Sequence, residues 1–351
     1  MYRKLTFSFL FLGALSLSFF TACRRDVLVI PDVVDKPNIE FYGLTADNML
    51  IRYNANNVSA VMGKVSITGL QSGDKIMAID FRPATGQLYG LGSGSRLYVI
   101  NPETGAASTV GATSFTPALA GNMAGFDFNP TVDRIRVVTS SGQNLRLNPE
   151  TGLVAATDAM LNPGSPTVIA AAYTNSVAGA STTTLYDLDI NAGKLYKQLP
   201  PNDGVLVEVG SLGVKNVGDG GFDISPDNSV ALATFVNDGY YALHMIDLNT
   251  GKANFLGYPV EKIIGIAIPP MPVAYAVDMM NNLQIFNFKN PAAAVSKPIT
   301  GLQAGEKIWG IDMRPATGQL YALGSSSHLY TINMASGAAT LVGSMPFATL
   351  L

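Results

Sequence analysis

Residues 67–111 (ITGLQSGDKIMAIDFRPATGQLYGLGSGSRLYVINPETGAASTVG) return at 299–343 as ITGLQAGEKIWGIDMRPATGQLYALGSSSHLYTINMASGAATLVG, identical at 31 of 45 aligned positions. Between the copies lie weaker versions of the same unit, each marked by a short apolar segment running into Pro, Asn or Ser: AIDFRP, GFDFNP, AAYTNS, GFDISP, GIAIPP and GIDMRP. The equivalent positions Asp80, Asp127, Ala172, Asp223, Ala267 and Asp312 are spaced 47, 45, 51, 44 and 45 residues apart. A period of about 40 to 50 residues built from short strands is that of a propeller blade.

The local chemistry agrees. Segments such as LYGLG, RLYVIN, RIRVVT, LYDLDI and HLYTIN are rich in strand formers, and no long stretch carries helical periodicity. Turns recur at Asn101–Gly105, Asn148–Gly152, Asp189–Gly193, Asp247–Gly251 and Asn333–Gly337. Their opening Asn or Asp can accept a backbone N–H two residues on, and their closing Gly takes positive φ at no steric cost. No helix follows these glycines, so they are hairpin loops and not phosphate cradles. The chain is expected to be all-β, a propeller of four-stranded antiparallel blades.

Six inner strands occur, yet residues 40–70 form three strands with no inner strand before them. In a propeller the N-terminal strands commonly complete the last blade and so remove exposed edges. That gives five blades over residues 39–271, with Ile264–Ile268 as the fifth inner strand. Residues 272–351 are then an unfinished second copy of the propeller start. A six-bladed arrangement using all six inner strands is the alternative.

Arg3 and Lys4, an apolar run from Leu5 to Phe20, and Thr21-Ala22-Cys23 read as a signal peptide over residues 1–22. The FTAC segment resembles a bacterial lipobox and makes Cys23, the chain's one cysteine, the expected lipidation site. A lipid-attached tether over 23–38 follows, with the protein exported to the cell envelope, at the outer membrane. With Cys23 lipidated, no thiol is left for disulfides, thiolate catalysis or cysteine metal sites. Charged residues make up 13% and the net charge is −3, without the basic stripe that nucleic acid requires.

The strings GIDMRPATGQLYALGSSSHLYTIN, AGFDFNPTVDRIRVVTSSGQNLRLNPETG and AAAYTNSVAGASTTTLYDLDINAGKLYKQLPPNDGVLVEVGSLGV resemble a bacterial family known as domain of unknown function 4394, over residues 40–270 and again over 273–351. The resemblance implies a secreted or lipidated propeller-like protein and carries over no catalytic residues.

Asp80, Asp127, Asp223 and Asp312 recur on inner strands, which surround a propeller axis. Carboxylates there could hold Ca²⁺ or act as acid and base on a glycan, as a hydrolase or lyase. Their repetition favours a structural task, accepting backbone N–H groups or pairing with Arg82 or Arg314. Arg134, Arg136 and Arg146 break the repeat and are the candidate ligand-binding residues for a carboxylate or acidic sugar. His244 and His328 are far apart and lack metal spacing, so no metal site is assigned. Tyr89, Tyr98, Tyr321, Tyr330 and Trp309 could form a sugar-stacking surface, though alternating strand aromatics are usually core. The expected function is a membrane-anchored binding module for a glycan or protein ligand; an enzyme with axial carboxylates is the rival.

Overall fold

The computed structural model describes residues 36–346 except 190, 215–217, 238, 289 and 316; the signal segment and Cys23 lie outside the described residues. The strands are numbered in chain order. β1 (Glu40–Thr45), β2 (Met49–Asn54) and β3 (Gly63–Ser66) precede blade 1, which is β4 (Ile76–Phe81), β5 (Leu88–Gly92), β6 (Arg96–Ile100) and β7 (Ala107–Val110). Blade 2 is β8 (Ala124–Asn129), β9 (Arg134–Thr139), β10 (Asn144–Leu147) and β11 (Val154–Thr157). Blade 3 comprises β12 (Val168–Tyr173), β13 (Leu185–Asp189), β14 (Lys194–Gln198) and β15 (Leu206–Ser211). In blade 4 are β16 (Gly220–Ile224), β17 (Ala231–Asn237), β18 (Tyr240–Ile246) and β19 (Ala253–Gly257).

Blade 5 is assembled from both ends of this stretch. β20 (Ile263–Ala267) pairs antiparallel with β1, giving the sheet order β20-β1-β2-β3. The N-terminal strands therefore supply what β20 lacks, as the strand count implies. The inner strands β4, β8, β12, β16 and β20 contact one another in that order, and β20 contacts β4. Apolar clusters fill the spaces between successive blades, for example Tyr89, Leu91 and Leu97 of blade 1 against Phe126, Ile135 and Val137 of blade 2.

Turn chemistry follows the residues. In four of the recurring turns the opening side chain accepts the N–H two residues on: Asn101 from Glu103, Asn148 from Glu150, Asp247 from Asn249 and Asn333 from Ala335, at 2.8–2.9 Å. The closing residues Gly105 and Gly337 sit at φ 73° and 77°.

The remaining strands form two further sheets: β21 (Val273–Val277), β22 (Asn282–Asn287) and β23 (Asn290–Pro298), then β24 (Ile308–Arg314), β25 (Gln319–Gly324), β26 (Leu329–Ile332) and β27 (Ala339–Val342). Among the described residues β21 pairs only with β22. Polar contacts join these two sheets to blades 1, 2 and 3: Tyr275 OH donates to Thr85 O at 3.1 Å, Asn101 Nδ2 to Thr317 O at 2.9 Å and Asn290 Nδ2 to Ala178 O at 3.1 Å, and Lys297 pairs with Glu150. These contacts fall on loops at the C-terminal ends of the inner strands or on turns at that same end of the blades.

Candidate functional site: the propeller axis and its mouth

The inner strands approach closely because the positions two residues before the repeated site are all small: Ala78, Gly125, Ala170, Gly221 and Gly265. A Cβ on Gly221 would stand 2.4 Å from Ile266 N, and one on Gly125 2.6 Å from Ala171 N. Only a small residue lets adjacent backbones meet so closely.

The repeated position itself reads Asp80, Asp127, Ala172, Asp223, Ala267 around the five blades, and that order has a hydrogen-bonding logic. Asp80 accepts Phe128 N of blade 2 at 2.8 Å, Asp127 accepts Tyr173 N of blade 3 at 3.0 Å, and Asp223 accepts Ile268 N after β20 at 2.5 Å. Blades 3 and 5 carry Ala and cannot reach forward. The blades that follow them compensate: Ile224 N is taken by Asp223 of its own strand at 2.6 Å, and Phe81 N by Asp80 at 2.7 Å. Three carboxyl groups thus satisfy five equivalent N–H groups, one on each blade. A buried backbone donor left unpaired costs about 1–3 kcal/mol, and three of these bonds also tie blade 1 to 2, 2 to 3 and 4 to 5. Arg82 does not pair with Asp80; its guanidinium bonds Asp133 and Glu150 instead.

Oxygens of Asp80, Asp127 and Asp223 lie within 4.8 Å of one another. Burial pushes Asp80 and Asp127 well above the usual carboxylate range, reinforced by the charge of Asp223 on Asp80 and of Asp80 and Asp223 on Asp127. Asp223 is pushed up to about 7 by burial. The residues do not suit Ca²⁺, which takes six to eight oxygens. Three carboxyl groups are present, and five of their six oxygens accept backbone N–H groups. Asp312 is not part of the cluster. It is exposed on β24, where its carboxylate accepts Met313 N of its own strand at 2.8 Å.

At the N-terminal ends of the inner strands a cavity of about 450 Å³ opens, lined by residues that include Lys75, Met77, Asn122, Asp219 and Ile264. Blades 1, 2, 3, 4 and 5 all contribute to its wall. Asp219 accepts a 2.6 Å hydrogen bond from Tyr241 OH, and burial together with that carboxylate raises the tyrosine's pKa. Beneath the mouth the axis narrows to a void of about 10 Å³ bounded by Ala78, Phe126, Ala170, Gly221 and Gly265, room for about one water. The carboxyl layer lies one step further along each strand.

The three arginines serve the interior or a loop. Arg136 is buried and donates to Asn144 and Asp158 at 2.6 Å, to Asn202 of blade 3 at 2.8 Å and to Tyr173 OH at 3.3 Å. Arg146 holds both oxygens of Asp158 at 2.8 Å, and Arg134 donates to Asp133 O at 2.8 Å. Their departure from the repeat marks a network between blades 2 and 3, and the mouth lies elsewhere. His244 is fully buried, and burial lowers its pKa to about 4; His328 bonds Glu306 at 2.9 Å. The stacking surface imagined for Tyr89, Tyr98, Tyr321, Tyr330 and Trp309 does not form, because Tyr89, Tyr98 and Tyr330 are core residues and only Trp309 is well exposed.

Lys75, Asn122 and Asp219 belong to no functional motif in the sequence. Their signal is position: each stands four or five residues before a repeated aspartate, where the chain enters an inner strand. No curated protein matches this chain. The family profile described as domain of unknown function (DUF4394) matches residues 49–267 and again 282–350. These matches cover most of the chain, which therefore belongs to the DUF4394 family and carries a partial second copy of its domain.

Proposed function

We propose that this protein is a binding module of the cell envelope, attached by lipid at Cys23, whose ligand sits in the axial mouth. The observation that carries this reading is the contrast along the axis. The mouth offers about 450 Å³ with a cation, an amide, a carboxylate and apolar side chains, the mixture expected of a small-molecule site. The aspartates a hydrolase would need lie behind a one-water constriction with five of their six oxygens committed to backbone N–H groups. A saccharide unit fits the mouth in size and polarity.

Met77→Trp tests the site, since Trp309 is the residue at the equivalent place in the second copy. Saturation-transfer NMR against a panel of mono- and disaccharides should give contacts with the wild type that this variant loses at unchanged melting temperature. Contacts unaffected by the plug, or none at all, reject the mouth. Polysaccharide hydrolysis abolished by Asp127→Asn in a folded protein would replace binding by catalysis. Palmitate labelling lost in Cys23→Ser tests the anchor.

A further inference from the structure

Blade 4 carries a continuous file of aromatic rings from core to surface. Phe235 on β17 is fully buried and stacks on His244 of β18, with centroids 4.2 Å apart and planes at 10°. His244 meets Phe255 of β19 at 5.9 Å, Phe255 meets Tyr258 at 4.9 Å, and Tyr258 meets Tyr240 at 5.9 Å. With its pKa depressed by burial, the His244 ring is neutral at physiological pH and packs as an aromatic. The outer three rings are exposed by 48% (Phe255), 56% (Tyr258) and 67% (Tyr240).

Leaving three neighbouring aromatic rings in water forgoes burial that would stabilise the fold. Contiguous exposed apolar patches of this kind commonly mark binding sites. The rings are also preorganised, because Phe255 rests on His244 and His244 on Phe235, so little ordering entropy is lost when a ligand arrives.

We propose that Tyr240, Phe255 and Tyr258 form a stacking platform for a neutral saccharide, made of residues that do not line the axial mouth. Size selects the ligand. Aromatic side chains present about 150–250 Å² each, so three rings exposed by half to two-thirds offer about 300 Å². A stable protein interface needs about 800 Å² from each partner, whereas one or two pyranose rings cover the smaller area. The chemistry agrees: ring faces are electron-rich and attract the C–H face of a sugar, and phenolic hydroxyls at the rim can bond its hydroxyls.

Native-gel retardation of the full chain by soluble laminarin, hydroxyethyl cellulose, xylan and mannan tests the proposal. At least one polymer should retard the wild type. Tyr240→Ser with Tyr258→Ser should weaken that retardation about tenfold, equivalent to about 1.4 kcal/mol, while Trp309→Ser, a change at an exposed aromatic elsewhere, leaves it intact. Both tyrosines are mostly exposed, so the fold should survive their replacement, and an unchanged melting temperature verifies this. Absence of retardation by all four polymers, retardation indifferent to the tyrosines, or binding of a proline-rich peptide in place of the polymers overturns it.

Discussion

Blade 1 and its copy, β4–β7 and β24–β27, share most of their residues and almost all of their local structure, yet they stand in opposite relation to solvent. Gly86 and Gly318 take φ of 67° and 59°, Ser95 and Ser327 take 60° and 61°, and the carbonyls of Arg82 and Arg314 accept the same pair of turn N–H groups. One packed face is rebuilt as well. Ile76, Ile79, Leu88, Tyr98 and Ile100 meet the β1–β3 strands, and Ile308, Ile311, Leu320, Tyr330 and Ile332 meet β21–β23 in the same way.

The other face differs. Tyr89, Leu91 and Leu97 are covered by blade 2, while Tyr321, Leu323 and Leu329 are only half-buried. At the axis, Asp80 accepts one N–H from its own strand and one from blade 2; Asp312 keeps the first bond, and among the described residues no bond from a neighbouring blade joins it. A blade sequence therefore encodes its sheet and half of its packing, and its neighbour supplies the rest.

Paired substitutions sharpen that contrast. Arg82→Ala removes a buried guanidinium and leaves Asp133 unpaired while Glu150 keeps Lys297; with both carboxylates partly solvated it should cost about 3 kcal/mol, the low end for a broken buried pair, whereas Arg314→Ala, at an exposed position, should stay within about 0.5 kcal/mol; urea denaturation followed by circular dichroism measures both. Equal costs would break the comparison. Next comes Asp80→Ala, which orphans the N–H groups of Phe81 and Phe128 and should cost about 2–4 kcal/mol. Asp312→Ala should again be near neutral by the same assay.

Acidity tests the buried carboxyl groups of the five blades. Burial holds Asp223 up to about 7 and Asp187 up to about 8, while such groups titrate near ~3.9 when unfolded. Between those values the native state binds more protons than the unfolded state, so stability should fall as pH rises from about 4 to 8 and level off above. Asp187→Asn should flatten the upper part of that slope, as read by melting temperature against pH; an unchanged slope would show that Asp187 does not titrate there. The smallest effect belongs to Trp309, 60% exposed and the chain's one tryptophan. Trp309→Ala should change stability by less than about 0.5 kcal/mol, and acrylamide should quench its emission freely. Strong protection would mean that the open side of the copy is covered.

Much of the fold was legible in the sequence because blade formation is local. Period, strand composition and the Asn-to-Gly turns announce four-stranded hairpins, and the orphan strands of residues 40–70 point to β20 as their partner. The site was legible only in part. Asp80, Asp127 and Asp223 stand out by recurrence, but which N–H each accepts depends on the neighbouring blade and on the alanines at 172 and 267. Arg136 stands out by breaking the repeat, which reflects its bonds to Asp158 and Asn202. Tyr240, Phe255 and Tyr258 resemble core aromatics in sequence, since strand alternation does not say whether a further blade will cover them.

The amino-acid sequence by itself determined the repeat, the strands, the turns and the small residues that let five inner strands converge. Tertiary structure alone decided that Asp80 is buried and Asp312 exposed, that the mouth gathers Lys75, Asn122 and Asp219, and that one aromatic file reaches the surface. Burial is a property of pairs of blades: desolvation and backbone hydrogen-bond satisfaction are set by what lies across the interface, which nearly identical sequences do not share.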